Sequence, residues 1–327
     1  MARSNPSALA GRRAKVACCG TRVHYVSDFD VVTGAFSYSG KAIASTLLQS
    51  GRRVRTLTGH PERAHGSRSI EIRPLDFSDA AGLATSLEGA RALFNTYWVR
   101  FARGGVSHEV AVANSKALFQ AARQAGVGRV VHISITHADA TSPLAYFRGK
   151  GLVEQALQAS GLPCSIVRPA ILFGGDGVLI NNIAWLLRRL PVFIIGGRGD
   201  YRVRGVHVDD LAQLCLAQAE ASGNQVLDAV GPERPSFLEL VVWVRDAVGS
   251  RAALYRAPGA VLVALSSALG YVLHDVLLTR DEYVAMARGL ADTDGPATGS
   301  TKMSEWLVEN SSQLGLRYAN ELALHFK

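Results

Sequence analysis

Between residues 29 and 169, short runs rich in β-branched and apolar residues alternate with longer segments whose apolar positions recur every three or four residues. Phe29-Asp30-Val31-Val32-Thr33 reads as a first strand. A turn to Gly40 follows, then a helix that carries Ile43, Leu47 and Leu48 and stops at Ser50-Gly51. Residues 54–57, 70–76 and 92–96 read as the next three strands. A helix over 109–125 leads into a fifth strand at 129–134, and a helix bearing Tyr146 and Lys150 runs to Ser160 before a sixth strand at 164–169. Strands alternating with helices imply βαβ units, and right-handed crossovers make a doubly wound parallel sheet of the α/β class the economical arrangement.

Beyond the glycine-rich stretch 174–177 the alternation breaks. A short helical run occupies 180–190, a loop 196–200, and Val206-His207-Val208-Asp209-Asp210 opens a further helix with acids suited to its N-terminus. The division expected is a basic extension over 1–27, a nucleotide-binding domain over 28–230 to which 176–205 adds substrate-facing structure, and a smaller, mainly helical substrate domain over 231–327. Within the last, 257–273 is uncharged. It is too short and too interrupted by Pro258, Gly259 and Gly270 to read as a membrane span, and reads as a buried or pocket-lining helix. A membrane-surface helix stays open.

Two local patterns carry chemistry. In Thr33-Gly34-Ala35-Phe36-Ser37-Tyr38-Ser39-Gly40, glycine or serine at every third position sits between a strand and a helix. There Gly34 permits a tight turn, a small residue at Ser37 lets backbone approach a pyrophosphate, and Gly40 lets the helix pack closely while its free amides face phosphate. The turn residues Phe36 and Tyr38 and, at the end of the fourth strand, Asn95 belong to the same expected cofactor site. The second pattern is Tyr146-Phe147-Arg148-Gly149-Lys150. Residues four apart share a helix face, so Lys150 is expected to lower the pKa of the Tyr146 phenol and make it an acid or base for a substrate oxygen.

Together these imply a Rossmann-type site for a nicotinamide cofactor. The second strand ends without the acid that NAD-preferring sites use on the ribose, and Arg55 and Arg63 lie nearby, so NADP is favoured over NAD. Asp76, ending the third strand, is expected at the adenine edge.

Charge and cysteine usage narrow the classes. The net charge of +8 is concentrated at the start, where Arg3, Arg12, Arg13, Lys15 and Arg22 precede any acid. The remainder is mildly basic and lacks aromatics interleaved with cations, which argues against nucleic acid as a partner. The start reads as a disordered extension, with organelle targeting the minority reading and the cytoplasm the default. Cys18, Cys19, Cys164 and Cys215 show neither a metal-ligand spacing nor a disulfide framework, so no metal is expected.

The turn at 33–40, Leu75-Asp76-Phe77, Asn114, the Tyr146/Lys150 pair, Ile166-Val167-Arg168-Pro169-Ala170 and Val206-His207-Val208-Asp209-Asp210-Leu211 together resemble the short-chain dehydrogenase/reductase superfamily in its extended and atypical branches. Within it, 94–101, 146–150 and 181–187 are similar to epimerase/dehydratase-like and NmrA-like proteins, and to the Rossmann-type accessory subunit of respiratory complex I. The resemblance implies roles for Tyr146 and Lys150 as the catalytic pair, Lys150 also holding the nicotinamide ribose, and for Asn114 as the structural asparagine. Ser134 or Thr136 would polarise the substrate oxygen, and 169–172, with Pro169 and Ile171, would lie along the nicotinamide.

The activity expected is oxidation or reduction of a carbonyl or alcohol on a small or medium, apolar molecule. Alternatives are a sensor or assembly factor that binds cofactor without turnover, and an epimerase or dehydratase. Self-association is left open.

Overall fold

The computed structural model describes residues 29–64, 69–102 and 105–326. The basic extension, with Cys18 and Cys19, lies outside them. In chain order the elements begin with β1 (Phe29–Thr33), α1 (Tyr38–Gln49), β2 (Arg53–Thr58), β3 (Ile70–Pro74), α2 (Ala80–Leu87), β4 (Ala90–Asn95), α3 (His108–Gln124), β5 (Arg129–Ile133), α4 (Ala145–Ala159) and β6 (Cys164–Pro169). There follow β7 (Ile171–Phe173), α5 (Val178–Arg189), β8 (Val192–Gly196), β9 (Gly205–His207), α6 (Val208–Ala219), β10 (Gln225–Ala229) and α7 (Phe237–Ala247). The chain closes with β11 (Ala253–Ala257), α8 (Gly259–Leu273), α9 (Arg280–Ala287), α10 (Met303–Glu309) and α11 (Glu321–Phe326).

Seven strands form one parallel sheet in the order β10-β6-β5-β4-β1-β2-β3. The order reverses between β1 and β4, which places a crevice at the carboxyl ends of these two strands, where open α/β sheets bind ligands. Thr33 and Thr96 close the crevice floor: Thr96 Oγ1 donates to Thr33 O at 2.5 Å, and Thr96 N to Thr33 Oγ1 at 2.8 Å.

Both faces of the sheet are covered. Leu83, Leu87, Leu118, Phe119, Val153 and Leu157 from α2, α3 and α4 pack on one side, and Ile43, Leu47, Leu211 and Cys215 from α1 and α6 on the other. β1, β4 and β5 therefore read as near-continuous apolar runs, as strands buried on both faces must.

The predicted helical C-terminal part is present and also holds a strand. β11 pairs in parallel with β8, a two-stranded sheet apart from the main one, and β7 pairs with β9. β11 was not legible as a strand because Ala253, Tyr255 and Arg256 are exposed and only one neighbour pairs with it. A third core, built from Ile183, Leu187, Leu240, Val244 and Leu307, joins α5, α7 and α10. α7 and α9 each start with a reciprocal capping box, Ser236 with Glu239 and Thr279 with Glu282.

Candidate active site

The turn between β1 and α1 needs its glycines. Gly34 has φ +66°, in the left-handed region, and a Cβ on Gly40 would stand 2.1 Å from Gly34 O. Ser37 folds back on the turn, its Oγ donating to Gly34 O at 2.7 Å. Its hydroxyl thus stabilises the turn and is not aimed at a pyrophosphate. Ser37 accepts no capping bond from α1 and the first turn of that helix holds no acid, so its leading N–H groups are left for an anion. This cradle fits a dinucleotide diphosphate.

The side chain of Tyr38 crosses to the segment after β7, donating to Gly174 O at 2.7 Å, and Lys41 pairs with Asp176 at 2.8 Å just outside it. These contacts fasten the start of α1 to the 174–177 loop. Phe36 is half-buried in the turn.

The residues expected at the cofactor lie in differing surroundings. Arg55 sits mid-strand in β2, not at its tip. Its guanidinium lies 4.0 Å from the Phe29 ring centroid, pairs with Glu71 at 3.0 Å and donates to Ser86 O at 2.8 Å. It is committed to packing beneath the sheet edge. Asn95 is fully buried: its Oδ1 accepts from Tyr97 N at 3.1 Å and Thr33 Oγ1 at 3.3 Å, while its Nδ2 faces His132 Nδ1 at 3.1 Å. It braces the ends of β1, β4 and β5 and does not face the crevice. Asp76 is exposed just past β3, where its Oδ1 accepts from Ser78 N and Oγ at 2.9 and 2.6 Å. Pro169 is buried at the end of β6 and Ile171 half-buried in β7, with Pro169 O accepting from Thr136 N at 3.1 Å.

Tyr146, Lys150 and Glu154 follow one another at four-residue spacing along α4. Lys150 is 3% exposed, donates to Ile133 O at 2.8 Å and lies 4.8 Å from the centroid of the Trp98 ring. One such bond uses one of its three donors, leaving capacity for ribose hydroxyls. Burial pulls its pKa down to about 7, with the Glu154 carboxylate pulling the other way.

Trp98 stacks on His108 with centroids 5.7 Å apart, and Tyr146 meets both rings edge-on at 5.8 Å. Gly149 makes this aromatic wall possible, since a Cβ there would come within 2.7 Å of the Trp98 ring. The Tyr146 phenol is driven up by burial and further by Glu282 and Glu321, and the cation opposing this is Arg100, which departs from the expectation that Lys150 acidifies it. Arg100 Nε donates to Glu282 Oε1 at 2.6 Å, and Arg100 Nη1 lies 3.4 Å from Glu321. The phenol therefore stays protonated at neutral pH, the state of a proton donor.

Each of the two expected hydroxyls donates to a partner other than the phenol. Ser134 is buried and donates to Glu154, which is itself gripped by Arg168 with Nε to Oε1 at 2.9 Å. Thr136 is buried and donates to Leu290 O at 2.9 Å. Both hydroxyls are spent on holding β5, α4 and the segment after α9 together. Asn114 donates to the Tyr97 hydroxyl at 2.8 Å, which ties α3 to the end of β4.

Sequence reading missed Arg100, His108, Glu154, Gly149 and Glu282. Glu154 was within reach, lying four residues after Lys150, and Thr279-Arg280-Asp281-Glu282 is a capping-box pattern. That Glu282 meets Arg100 was not readable, because 182 positions separate them.

Residues 34–185 match the family model described as NAD(P)H-binding. A 4-hydroxy-2-methyl-3-oxo-4-farnesyl-3,4-dihydroquinoline-1-oxide ketoreductase of Stigmatella aurantiaca is 27% identical over 240 residues, covering 64% of this chain and 71% of the relative. The mitochondrial NADH dehydrogenase [ubiquinone] 1 alpha subcomplex subunit 9 of Dictyostelium discoideum is 27% identical over 243 residues, covering 68% and 67%. Among solved structures, the NADPH-dependent quinone oxidoreductase QOR2 of Escherichia coli, complexed with NADPH, superposes with a TM-score of 0.71 at 22% identity, covering 88% of this chain and 99% of that one. The glycine-bearing turn, the switch point between β1 and β4 and the match over 34–185 together make this an NAD(P)H-binding domain of Rossmann-like α/β fold, continued by a helical C-terminal part.

Proposed function

We propose that the protein is an NAD(P)H-dependent reductase of a carbonyl on a small or medium, apolar molecule, with Tyr146 as the proton donor. A bound reduced nicotinamide supplies the hydride. Tyr146 gives its proton to the substrate oxygen as that oxygen gains charge, and Lys150 holds the ribose and regains its own charge there. Trp98 and His108 wall the site and exclude water. The observation that carries this reading is half-buried Tyr146 and buried Lys150 on one face of α4, both packed on Trp98 beside the β1–β4 crevice. The ketoreductase and quinone reductase relatives agree with it in reaction class.

The departure at the hydroxyls shapes the test. Ser134 and Thr136 are engaged elsewhere, so Tyr146 is proposed to act without a serine or threonine partner. In a reductase screen over quinones, ketones and aldehydes, Tyr146→Phe should lower turnover by about 10²- to 10⁴-fold while NADPH still binds. Ser134→Ala and Thr136→Ala should leave the turnover of folded protein within a few-fold. If NADPH binds and no substrate class shows Tyr146-dependent turnover, the reductase reading falls.

The same region favours a second reading, cofactor binding without turnover, since Tyr146 shares one apolar cluster with Ala285, Val284 and Leu290 and Leu290 O accepts from Thr136. The complex I subunit relative suits a structural role of that kind. The proposed lean toward NADP now rests on the acid-free tip of β2 at Thr58-Gly59. Equal NAD and NADP affinities by titration would remove it.

A further inference from the structure

α8 is a helix of 15 residues without a charge, and of its residues only Gly270 is buried. Its inner side, with Leu262 and Leu269, faces the protein, and Tyr283 from α9 closes over Gly259 at its start. Val261, Ala264, Leu265, Ala268 and Val272 are all exposed, Leu265 by 49% and Val272 by 68%. At 3.6 residues per turn these five fall within an arc of about 100°. They form one continuous apolar stripe along the helix, bounded at its end by Tyr271, which is 86% exposed. An uncharged stripe of this kind facing water carries a standing cost and marks a contact surface.

The surroundings indicate what it contacts. Before the helix come exposed Arg251, Tyr255 and Arg256; after it come exposed His274 and Arg280, against one exposed acid, Asp281. Asp275 does not offset them, because it is buried and accepts from Tyr318 Oη at 2.6 Å and from the backbone N–H groups of Glu321 and Leu322 at 3.0 Å. Apolar side chains in the middle, a tyrosine towards either end and net positive charge on the flanks match the interface of an anionic bilayer. The helix is about 22 Å long, against about 30 Å for a hydrocarbon core, so it suits lying in the surface and not crossing it. Among the described residues no helix is long and apolar enough to cross a membrane.

We infer that the exposed face of α8 docks the protein on an anionic phospholipid surface. The inference rests on this surface and does not require turnover. It has a bearing on the site, because the segment leaving α8 runs straight to it: Arg100 Nη2 donates to Leu277 O at 3.4 Å, and Arg100 pairs with Glu282 of α9, next to Tyr146. A docked helix would present the Arg100 side of the pocket to the lipid interface.

The full chain should co-sediment with vesicles of phosphatidylcholine mixed with phosphatidylglycerol, weakly with phosphatidylcholine alone, and less as salt rises. Leu265→Glu combined with Val272→Glu alters only exposed positions, so the fold and its unfolding temperature should be kept. Partition should fall at least about tenfold, since burying one such side chain against an apolar phase is alone worth about that factor. Three results would overturn the inference. One is no binding to either vesicle. A second is full binding by the double variant, which would assign attachment to another part of the chain such as its basic start. The third is a dimer in light scattering that the double variant converts to monomer, which would assign the stripe to a second copy of the chain.

Discussion

Lys150 should make the cofactor-free protein more stable as pH rises from 7 to 8.5. Burial holds its folded pKa at about 7 against an ordinary 10.5, so throughout this interval the unfolded chain keeps a proton that the folded chain releases. Stability rises wherever the unfolded state binds more protons. Integrating the two titrations from pH 7 to 8.5 gives a gain of about 2 kcal/mol from this residue. For a chain of this length that corresponds to about 2–3 °C in Tm. Cys164 and Cys215 work in the opposite sense toward the top of the interval, because burial raises both thiols. The measurement is therefore a difference: denaturant unfolding at both pH values for wild type and for Lys150→Met, whose side chain fills similar volume without titrating. The wild-type gain should exceed that of the variant by about 2 kcal/mol. Equal gains in the two proteins would refute the reasoning and mean that Lys150 keeps its charge in the folded state.

Other outcomes follow from single contacts. If the cofactor ribose binds Lys150 as the cation, NADPH affinity measured by fluorescence titration should weaken as pH rises from 7 to 9, and Lys150→Met should lose that dependence. Gly40→Ala puts a Cβ 2.1 Å from Gly34 O, so it should cost about 1–3 kcal/mol of stability by forcing α1 away from β1, and weaken NADPH binding at least tenfold, as thermal unfolding and titration would show. Gly149→Ala should displace Trp98, seen as a change in tryptophan emission, with Tyr146-dependent turnover falling alongside it. Asp275→Ala removes the acceptor for the Tyr318 hydroxyl and two backbone N–H groups at the start of α11, and a loss of about 2–3 kcal/mol is expected in urea unfolding.

The sheet was legible because its evidence is local. Buried strands must be apolar, helices must repeat every 3.6 residues, and glycines at Gly34 and Gly40 are required by backbone geometry that any sequence forming this turn must respect. The glycine-bearing turn and the α4 face that carries Tyr146 and Lys150 were legible for the same reason: each is contained within eight residues or fewer. What a side chain does with its polar atom is decided by partners far away in sequence. Ser134 and Thr136 look alike beside a catalytic tyrosine until Glu154 and Leu290 O are seen to claim them. Arg55 looks like a phosphate ligand until Phe29 and Glu71 are seen to hold it.

The electrostatics of the tyrosine followed the same rule. Spacing along α4 pointed to Lys150 as the cation acting on the phenol, but Lys150 turns toward Ile133 O, and the charges that reach Tyr146 come from Arg100 beyond β4 and from Glu282 and Glu321 in the C-terminal part. The helical part thus does more than shape a pocket. By bringing the Glu282 and Glu321 carboxylates towards the phenol, it raises the proton affinity of the residue on which the proposed chemistry turns. Chains that share the 34–185 domain but carry a different C-terminal part should therefore differ in tyrosine acidity even with the Tyr-x-x-x-Lys pair unchanged. The pair alone is a weaker guide to turnover than the pair read together with whatever packs on it.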